Sequence, residues 1–268
     1  MAEAVIEARD LCYSYAGAGE LCQRCGGHRA AAVDGLSLSV ACGQRLAILG
    51  ANGSGKSTLL LLLNGTLRPS RGALLLDGQP ADYSRAGLRR WRQRVGLVLQ
   101  DPDDQLFAAT IYQDVSYGPL NLGLPELEVR RRTEEALDML GIADLAGSPV
   151  HMLSGGQRKR AAIAGIMAMR PDVLVLDEPT AGLDALGAAQ FLAFLDRLST
   201  RGTTVILAIH DTDLALAWAD AVVVLAHGRV ARQGPPQEVL GDEAFLAPAH
   251  LRLPSVLEAW RLLSRWPG

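Results

Sequence analysis

The eight residues Gly50-Ala51-Asn52-Gly53-Ser54-Gly55-Lys56-Ser57 follow the pattern G-x-x-x-x-G-K-[ST]. Before them runs a short apolar stretch, Arg45 to Leu49, predicted as a strand. After them Lys56 to Asn64, with five consecutive leucines, is predicted as a helix buried nearly all round and stopped at Gly65. Strand, glycine loop and helix in that order is the context in which this pattern makes a phosphate-binding loop. Glycines let the backbone curl so that several N–H groups face one phosphate chain, and the helix start adds positive potential. Lys56 then reaches the β- and γ-phosphates, and the Ser57 hydroxyl ligates Mg²⁺.

The rest of the chain alternates in the way such a loop requires. Residues 4–15 read as a strand, Leu36, Leu38 and Val40 alternate with serines, and Leu74 to Leu76 runs into an Asp77-Gly78 turn. Val95 to Leu99, Val173 to Leu176, Thr204 to Ile209 and Ala221 to Leu225 read as further strands. Arg158 to Met169, Ala185 to Ser199 and Leu214 to Ala219 read as helices. Strands alternating with helices predict an α/β domain with a mostly parallel sheet. The apolar run Val173 to Leu176 delivers Asp177 and Glu178 to a strand's C-terminal end, where open α/β sheets bind ligands. Asp177 suits Mg²⁺, and Glu178 suits polarising an attacking water.

Between Asp101 and about Gln157 no buried-strand pattern appears, and Pro102, Pro119 and Pro125 interrupt the segment. It reads as a helical insertion, with a charged amphipathic helix at Glu126 to Leu140. The tail, 236–268, carries two helical patches; in the second, Val256, Leu257, Trp260 and Leu263 share one face. Packing on its own domain is the default for such a stripe, and a partner's groove is the other reading.

Composition removes several classes. The 268 residues are 49% hydrophobic and 21% charged, ordinary globular usage, with a net charge of −3. That charge does not suit a broad nucleic-acid-binding face, so no nucleic-acid partner is expected. The arginines at 89, 90, 92 and 94 read as a solvated helix face. No apolar run reaches the roughly 18–20 residues of a membrane span, and Met1 to Asp10 lacks the pattern of a secretory signal. A cytoplasmic protein is expected, with any membrane role supplied by partners. Cys22-x-x-Cys25 followed by His28 offers three of the four ligands of a closed zinc site. A polar insertion loop is the plainer reading of that stretch.

Leu153-Ser154-Gly155-Gly156-Gln157 precedes the helix at Arg158, so a hydroxyl and glycine N–H groups form a second anion-binding helix start. With this pentapeptide between the phosphate loop and Asp177, the sequence resembles the ATP-binding-cassette (ABC) ATPase family over roughly residues 4–235. Gly50 to Thr58 is similar to its Walker A, Val173 to Asp177 to its Walker B and Leu153 to Gln157 to its signature. Gln100 matches the Q-loop glutamine, Ala181-Gly182-Leu183-Asp184 the D-loop and His210 the switch histidine. Tyr15 fits the aromatic that stacks on adenine, although Tyr13 lies two positions away.

The resemblance implies a P-loop NTPase core of the RecA-like kind with an antiparallel β subdomain and a helical subdomain inserted at about 101–157. Together these form one ATPase domain, 1–235, followed by a small helical tail that helps dimerise. It implies ATP and Mg²⁺ as cofactors, with nucleotide contacts from Tyr15, Asn52, Gly53, Ser54, Gly55, Lys56, Ser57 and Thr58. Ser154, Gly155, Gly156 and Gln157 would contact the nucleotide of a second subunit, most simply a second copy. Mg²⁺ would take Ser57, Gln100 and Asp177. Glu178 would be the base, with Lys56, Gln100 and His210 completing the catalytic set.

The segment Leu97 to Phe107 is similar to the Q-loop region of energy-coupling-factor importers, and Val115 to Leu124, Ala161 to Pro171 and Thr180 to Asp184 resemble their cobalt-type ATPases. That implies an ATPase powering an importer, for cobalt or for nickel or a vitamin. Its partners would be an integral-membrane coupling protein and a membrane substrate-binding subunit, and it would sit at the cytoplasmic face of the membrane. Gln105, Leu106 and Phe107 would then face a groove for the coupling protein's cytoplasmic helices; alternatively Leu106 and Phe107 are core of the insertion. A soluble ABC protein of DNA repair or translation is the competing class. The stretch from Ser57 to Ser154 has no sustained heptad, and the chain has one P-loop.

Overall fold

β1 (Ala4–Tyr13) pairs antiparallel with a strand on either side, Ile6 facing Val40 on one and Leu76 on the other. The structure, a computed structural model, describes residues 4–15, 21–22, 28–29, 31–183 and 185–264. The chain divides into two units, 1–83 with 206–268, and 84–205.

In the first unit β1 is followed by the short pair β2 (Leu21–Cys22) and β3 (His28–Arg29), then β4 (Val33–Ala41) and β5 (Arg45–Leu49). α1 (Lys56–Leu63), β6 (Arg71–Leu76) and β7 (Gln79–Pro80) complete the passage. Strands β4, β1, β6 and β7 form one sheet in that order. α1 buries Leu59, Leu60, Leu62 and Leu63 and ends where Gly65 N–H donates to Leu62 O and Thr66 N–H to Leu61 O. These two bonds satisfy carbonyls that the last turn would leave open.

The second unit opens with α2 (Arg85–Arg94), capped by Ser84 and burying Trp91, with its arginines largely outward. β8 (Val95–Val98), α3 (Ile111–Asn121), α4 (Glu126–Met139) and α5 (Gly155–Met167) follow. Then come β9 (Val173–Asp177), α6 (Ala185–Thr200) and β10 (Thr204–Ala208), the strand on which the chain passes back to the first unit. β8 and β9 run parallel, Val95 beside Val173 and Val98 beside Leu176. α3 was not legible as a helix because Pro119 reads as a breaker. It lies within the helix, whose start is secured by a Thr110–Gln113 capping box.

Back in the first unit are α7 (Thr212–Trp218), β11 (Ala221–Ala226), β12 (Arg229–Gly234), α8 (Pro236–Leu240), α9 (Glu243–Leu246) and α10 (Ser255–Ser264). Here the strand order is β12-β11-β5-β10, with β11 parallel to β5. Every residue from Leu46 to Leu49 and from Val222 to Val224 is fully buried. β12, an edge strand with Arg229, Ala231 and Gln233 exposed in alternation, carries no apolar run and so gave no strand signal.

α10 corrects the default reading of the tail. Val256 is 61% and Trp260 69% exposed, so these members of the apolar stripe do not pack on their own unit. The helix is held by polar contacts instead. Ser255 donates through N–H and hydroxyl to Asp213 at 2.7 and 2.8 Å, and Arg261 donates to Glu243 and to Gly241 O.

Arg45 donates from its N–H and its guanidinium to Asp220, tying the start of β5 to the residue before β11. Desolvation raises the Asp220 carboxyl, but the Arg45 hydrogen bonds and charge outweigh it, leaving it below the ordinary 3.8. A depressed carboxyl stabilises the fold above its unfolded value and loses that contribution as pH falls through its folded value. The pair is half exposed, so Asp220→Asn should cost only about 0.5–1 kcal/mol at neutral pH. Urea denaturation should show that gap closing well below pH 3.8.

Candidate active site

The candidate phosphate loop, Gly50 to Ser57, lies in the first unit. β5 ends at Leu49, and Gly50, Gly53 and Gly55 all take positive φ, 154°, 79° and 104°. A Cβ on Gly50 would lie 2.5 Å from Leu225 O, and one on Gly55 2.4 Å from Ala32 O. Both contacts are with backbone, so only glycine fits. α1 starts without a side-chain cap, leaving its first N–H groups available to an anion. The Lys56 ammonium, buried, donates to Gly50 O at 2.7 Å and Ala51 O at 3.3 Å. Ser54 Oγ is buried in the loop without a hydrogen-bond partner. A curled glycine loop, an uncapped helix start, a lysine folded over it and an orphaned hydroxyl fit a phosphate chain.

Around that loop, Tyr15 follows the end of β1, exposed, its hydroxyl 3.3 Å from Thr58 Oγ1 and its ring edge-on to Tyr13 at 5.0 Å. Asn52 and Ser57 are exposed. His210 is exposed and follows Ile209, whose N–H donates to Ile48 O. Ile48 lies in β5, two residues before the loop begins.

The second unit carries the remaining candidates. β9 is buried throughout and ends in Asp177, followed by Glu178 at φ 45°. A left-handed non-glycine residue costs about 1–2 kcal/mol, and such strain persists only where the surroundings impose it. Those surroundings include Lys159, a residue not singled out from the sequence. It is 6% exposed and donates to Glu178 O at 3.2 Å and Ala181 O at 2.9 Å. Burial pulls its ammonium below the ordinary 10.5, against the attraction of Glu178 and Asp101. Its one sequence signal is a cation in helical phase with Ile163 and Met167, on the buried face of α5.

Ser154 caps α5 in a capping box: its Oγ accepts from Gln157 N–H, and Gln157 Oε1 accepts from Ser154 N–H at 2.8 Å. The serine's own proton stays free to donate. Gly155 is exposed, with nothing within 4 Å of an added Cβ, and Gly156 would meet only Leu183 at 3.6 Å. Nothing within this unit therefore requires glycine at 155. Gln100 is exposed just beyond β8.

Gln105 is bound on both sides, its Oε1 accepting from Leu99 N–H and its Nε2 donating to Ala162 O. Phe107 is 65% exposed and stands edge-on to Tyr117 at 4.7 Å, so the alternative that it is core is not what the structure has. Gln105, Leu106 and Phe107 line a groove of about 650 Å³ with Leu88, Tyr117 and Met169. Asp114, also unremarked in the sequence, shapes its rim by accepting from Phe107 and Ala108 N–H at 3.0 and 2.7 Å. Asp184 and Cys25 lie outside the described residues; Cys22 and His28 face each other as backbone partners in β2 and β3. Among the described residues no cluster of His, Cys, Asp and Glu forms a metal site.

The sequence profile of the ABC transporter family matches residues 33–181. The cobalt import ATP-binding protein CbiO of Rhodobacter capsulatus is 58% identical over 227 residues, 85% of this chain and 81% of that protein. The energy-coupling factor transporter ATP-binding protein EcfA of Methanocaldococcus jannaschii is 44% identical over 97% of this chain and 90% of its own. Among solved structures, cbiO1 from Clostridium perfringens, described as part of the ABC transporter complex cbiONQ, superposes with a TM-score of 0.79. It is 42% identical and covers 97% of this chain and 99% of that one. The α/β fold with its antiparallel sheet is thus that of solved ABC cassettes, and the chain belongs to the ABC transporter family, as an ATP-hydrolysing subunit of the energy-coupling-factor type.

Proposed function

We propose that this ATPase powers a cobalt importer, working as a nucleotide-sandwich homodimer held to the cytoplasmic face of the membrane by an integral coupling protein and a membrane substrate-binding subunit. The observation that carries the cargo is the similarity to the Rhodobacter capsulatus protein named for cobalt import. Membrane attachment through partners accords with the chain itself, since none of its described helices is long and apolar enough to cross a bilayer. The exposed Phe107 and its groove offer a surface for the coupling protein. The exposed Val256 and Trp260 of α10, in the tail 236–268, suit the second copy.

In this reading Asn52 to Thr58 hold the phosphates and Tyr15 stacks on adenine. Ser57, Gln100 and Asp177 supply hard oxygen donors suited to Mg²⁺, which when bound neutralises charge on the phosphates. Glu178 takes the proton of the attacking water, and His210 holds that water and the γ-phosphate in line. Ser154, Gly155, Gly156 and Gln157 face the other copy's nucleotide, so ATP closes the dimer and hydrolysis releases it.

Gly155→Ala tests the sandwich. The added methyl meets nothing within 4 Å in this chain, and alanine in place of a helical glycine stabilises by about 0.4–1 kcal/mol. The variant should therefore melt no lower than wild type, yet lose ATP-driven dimerisation by gel filtration. Unimpaired dimerisation would count against a signature that faces nucleotide.

The wider reading is tested by solubilising native membranes in mild detergent and identifying what co-purifies with the tagged chain. Recovery of a multi-helix coupling protein and a small membrane subunit, with cobalt uptake lost on deletion, is the expected result. A vitamin-binding subunit would replace the cargo. Recovery only with ribosomes or DNA-processing proteins would overturn transport.

A further inference from the structure

We propose that Lys159 is a positioning residue for hydrolysis, its ammonium fastening the turn after β9 so that Glu178 is presented in its left-handed conformation. The inference rests on the reading of Glu178 as the base.

The geometry is confined to one unit. Glu178 O already accepts from Ala181 N–H at 3.1 Å, closing a four-residue turn. Lys159 Nζ adds a second donor to that carbonyl and a third bond, to Ala181 O, across the same turn. A turn of this length could relax by rotating the peptide after Glu178. A charged donor held at both ends removes that freedom, because charge-assisted hydrogen bonds are the strong ones.

Lys159 also stands in α5, five residues after the Ser154 cap. Helix start and catalytic turn are therefore bolted together by one side chain. A displacement of the signature helix moves the main chain that carries the base, so the state of the signature is read at Glu178 through Lys159.

The test uses the full chain and four variants: Lys159→Met, which keeps the length and removes the donors; Lys159→Arg, which restores them; Glu178→Gln; and Glu178→Gln with Lys159→Met. Phosphate release gives kcat and KM, single turnover gives residual rates, equilibrium titration gives ATP affinity, and thermal melts report folding. A misplaced reacting group costs up to about 100-fold. Lys159→Met should lower kcat by about 10–100-fold with ATP affinity unchanged within about twofold. Lys159→Arg should recover part of the loss. In the Glu178→Gln background Lys159→Met should produce no further fall, because the two act through one group.

A full-rate Lys159→Met, or a second independent loss in the Glu178→Gln background, overturns the proposal. So does a loss of ATP affinity in parallel with kcat. If Lys159→Met does not fold, Lys159→Leu, which also carries no donor, takes its place, and the same pattern of rates decides. Full hydrolysis by Glu178→Gln would instead remove the base assignment, an outcome distinct from an active Lys159→Met beside an inactive Glu178→Gln.

Discussion

Glu178→Gln should bind ATP as wild type does and hydrolyse it about 10²–10⁴-fold more slowly, the range a positioned general base contributes. The substitution changes one atom's chemistry and little else. Glutamine has the shape of glutamate and the same backbone tolerance, so the left-handed turn at φ 45° and the Lys159 bonds to Glu178 O and Ala181 O survive it. What is lost is a group that can take a proton from water. Because the phosphate loop and its lysine are untouched, ATP should still drive two chains together, and the variant should accumulate as a nucleotide-bound dimer. Phosphate release measured beside gel filtration with ATP separates the two functions. A variant hydrolysing at the wild-type rate would show that another group takes the proton.

Gly55→Ala should abolish ATP binding and destabilise the chain, by about 3 kcal/mol or more when strain and overlap are combined. At φ 104° alanine is strained wherever it stands. Here its methyl would also lie 2.4 Å from Ala32 O and 3.4 Å from Gly228 Cα, main-chain atoms that cannot swing aside as a side chain could. Either the loop opens, spoiling the N–H groups at the start of α1, or the segments at Ala32 and Gly228 move. Gly53→Ala is the internal control. It has φ 79° but nothing within 4 Å of an added Cβ, so it should pay only the conformational strain, about 1–2 kcal/mol. Thermal melts with ATP titrations on both variants separate steric overlap from strain. Equal losses would refute the overlap argument.

The phosphate loop was legible because its chemistry is local. Three glycines, a lysine and a serine at set spacing, between an apolar strand and a leucine helix, specify their own backbone. β5, β9 and β10 were legible for the same reason, since four or five buried residues in a row leave little choice but a covered strand. α3 carried a readable capping box, Thr110 to Gln113, but Pro119 outweighed it. A proline inside a helix usually breaks it, and here packing tolerates it. β12 offered no apolar signal because its outer face is solvated, and only pairing with β11 makes it a strand.

By itself, then, the sequence determined the α/β class, the curled glycine loop between β5 and α1, the position of Asp177 and Glu178 at the end of β9 and the family, all written in short contiguous stretches. The tertiary structure alone decided what depends on distant segments meeting. It left Val256 and Trp260 on the surface, because Ser255 bonds Asp213 rather than the stripe finding a core. It exposed Phe107 on a loop held by Asp114. It also carried the Lys159 ammonium to the carbonyls of Glu178 and Ala181. A buried cation takes whatever acceptors the packing brings within reach, and no local pattern says which carbonyls those are.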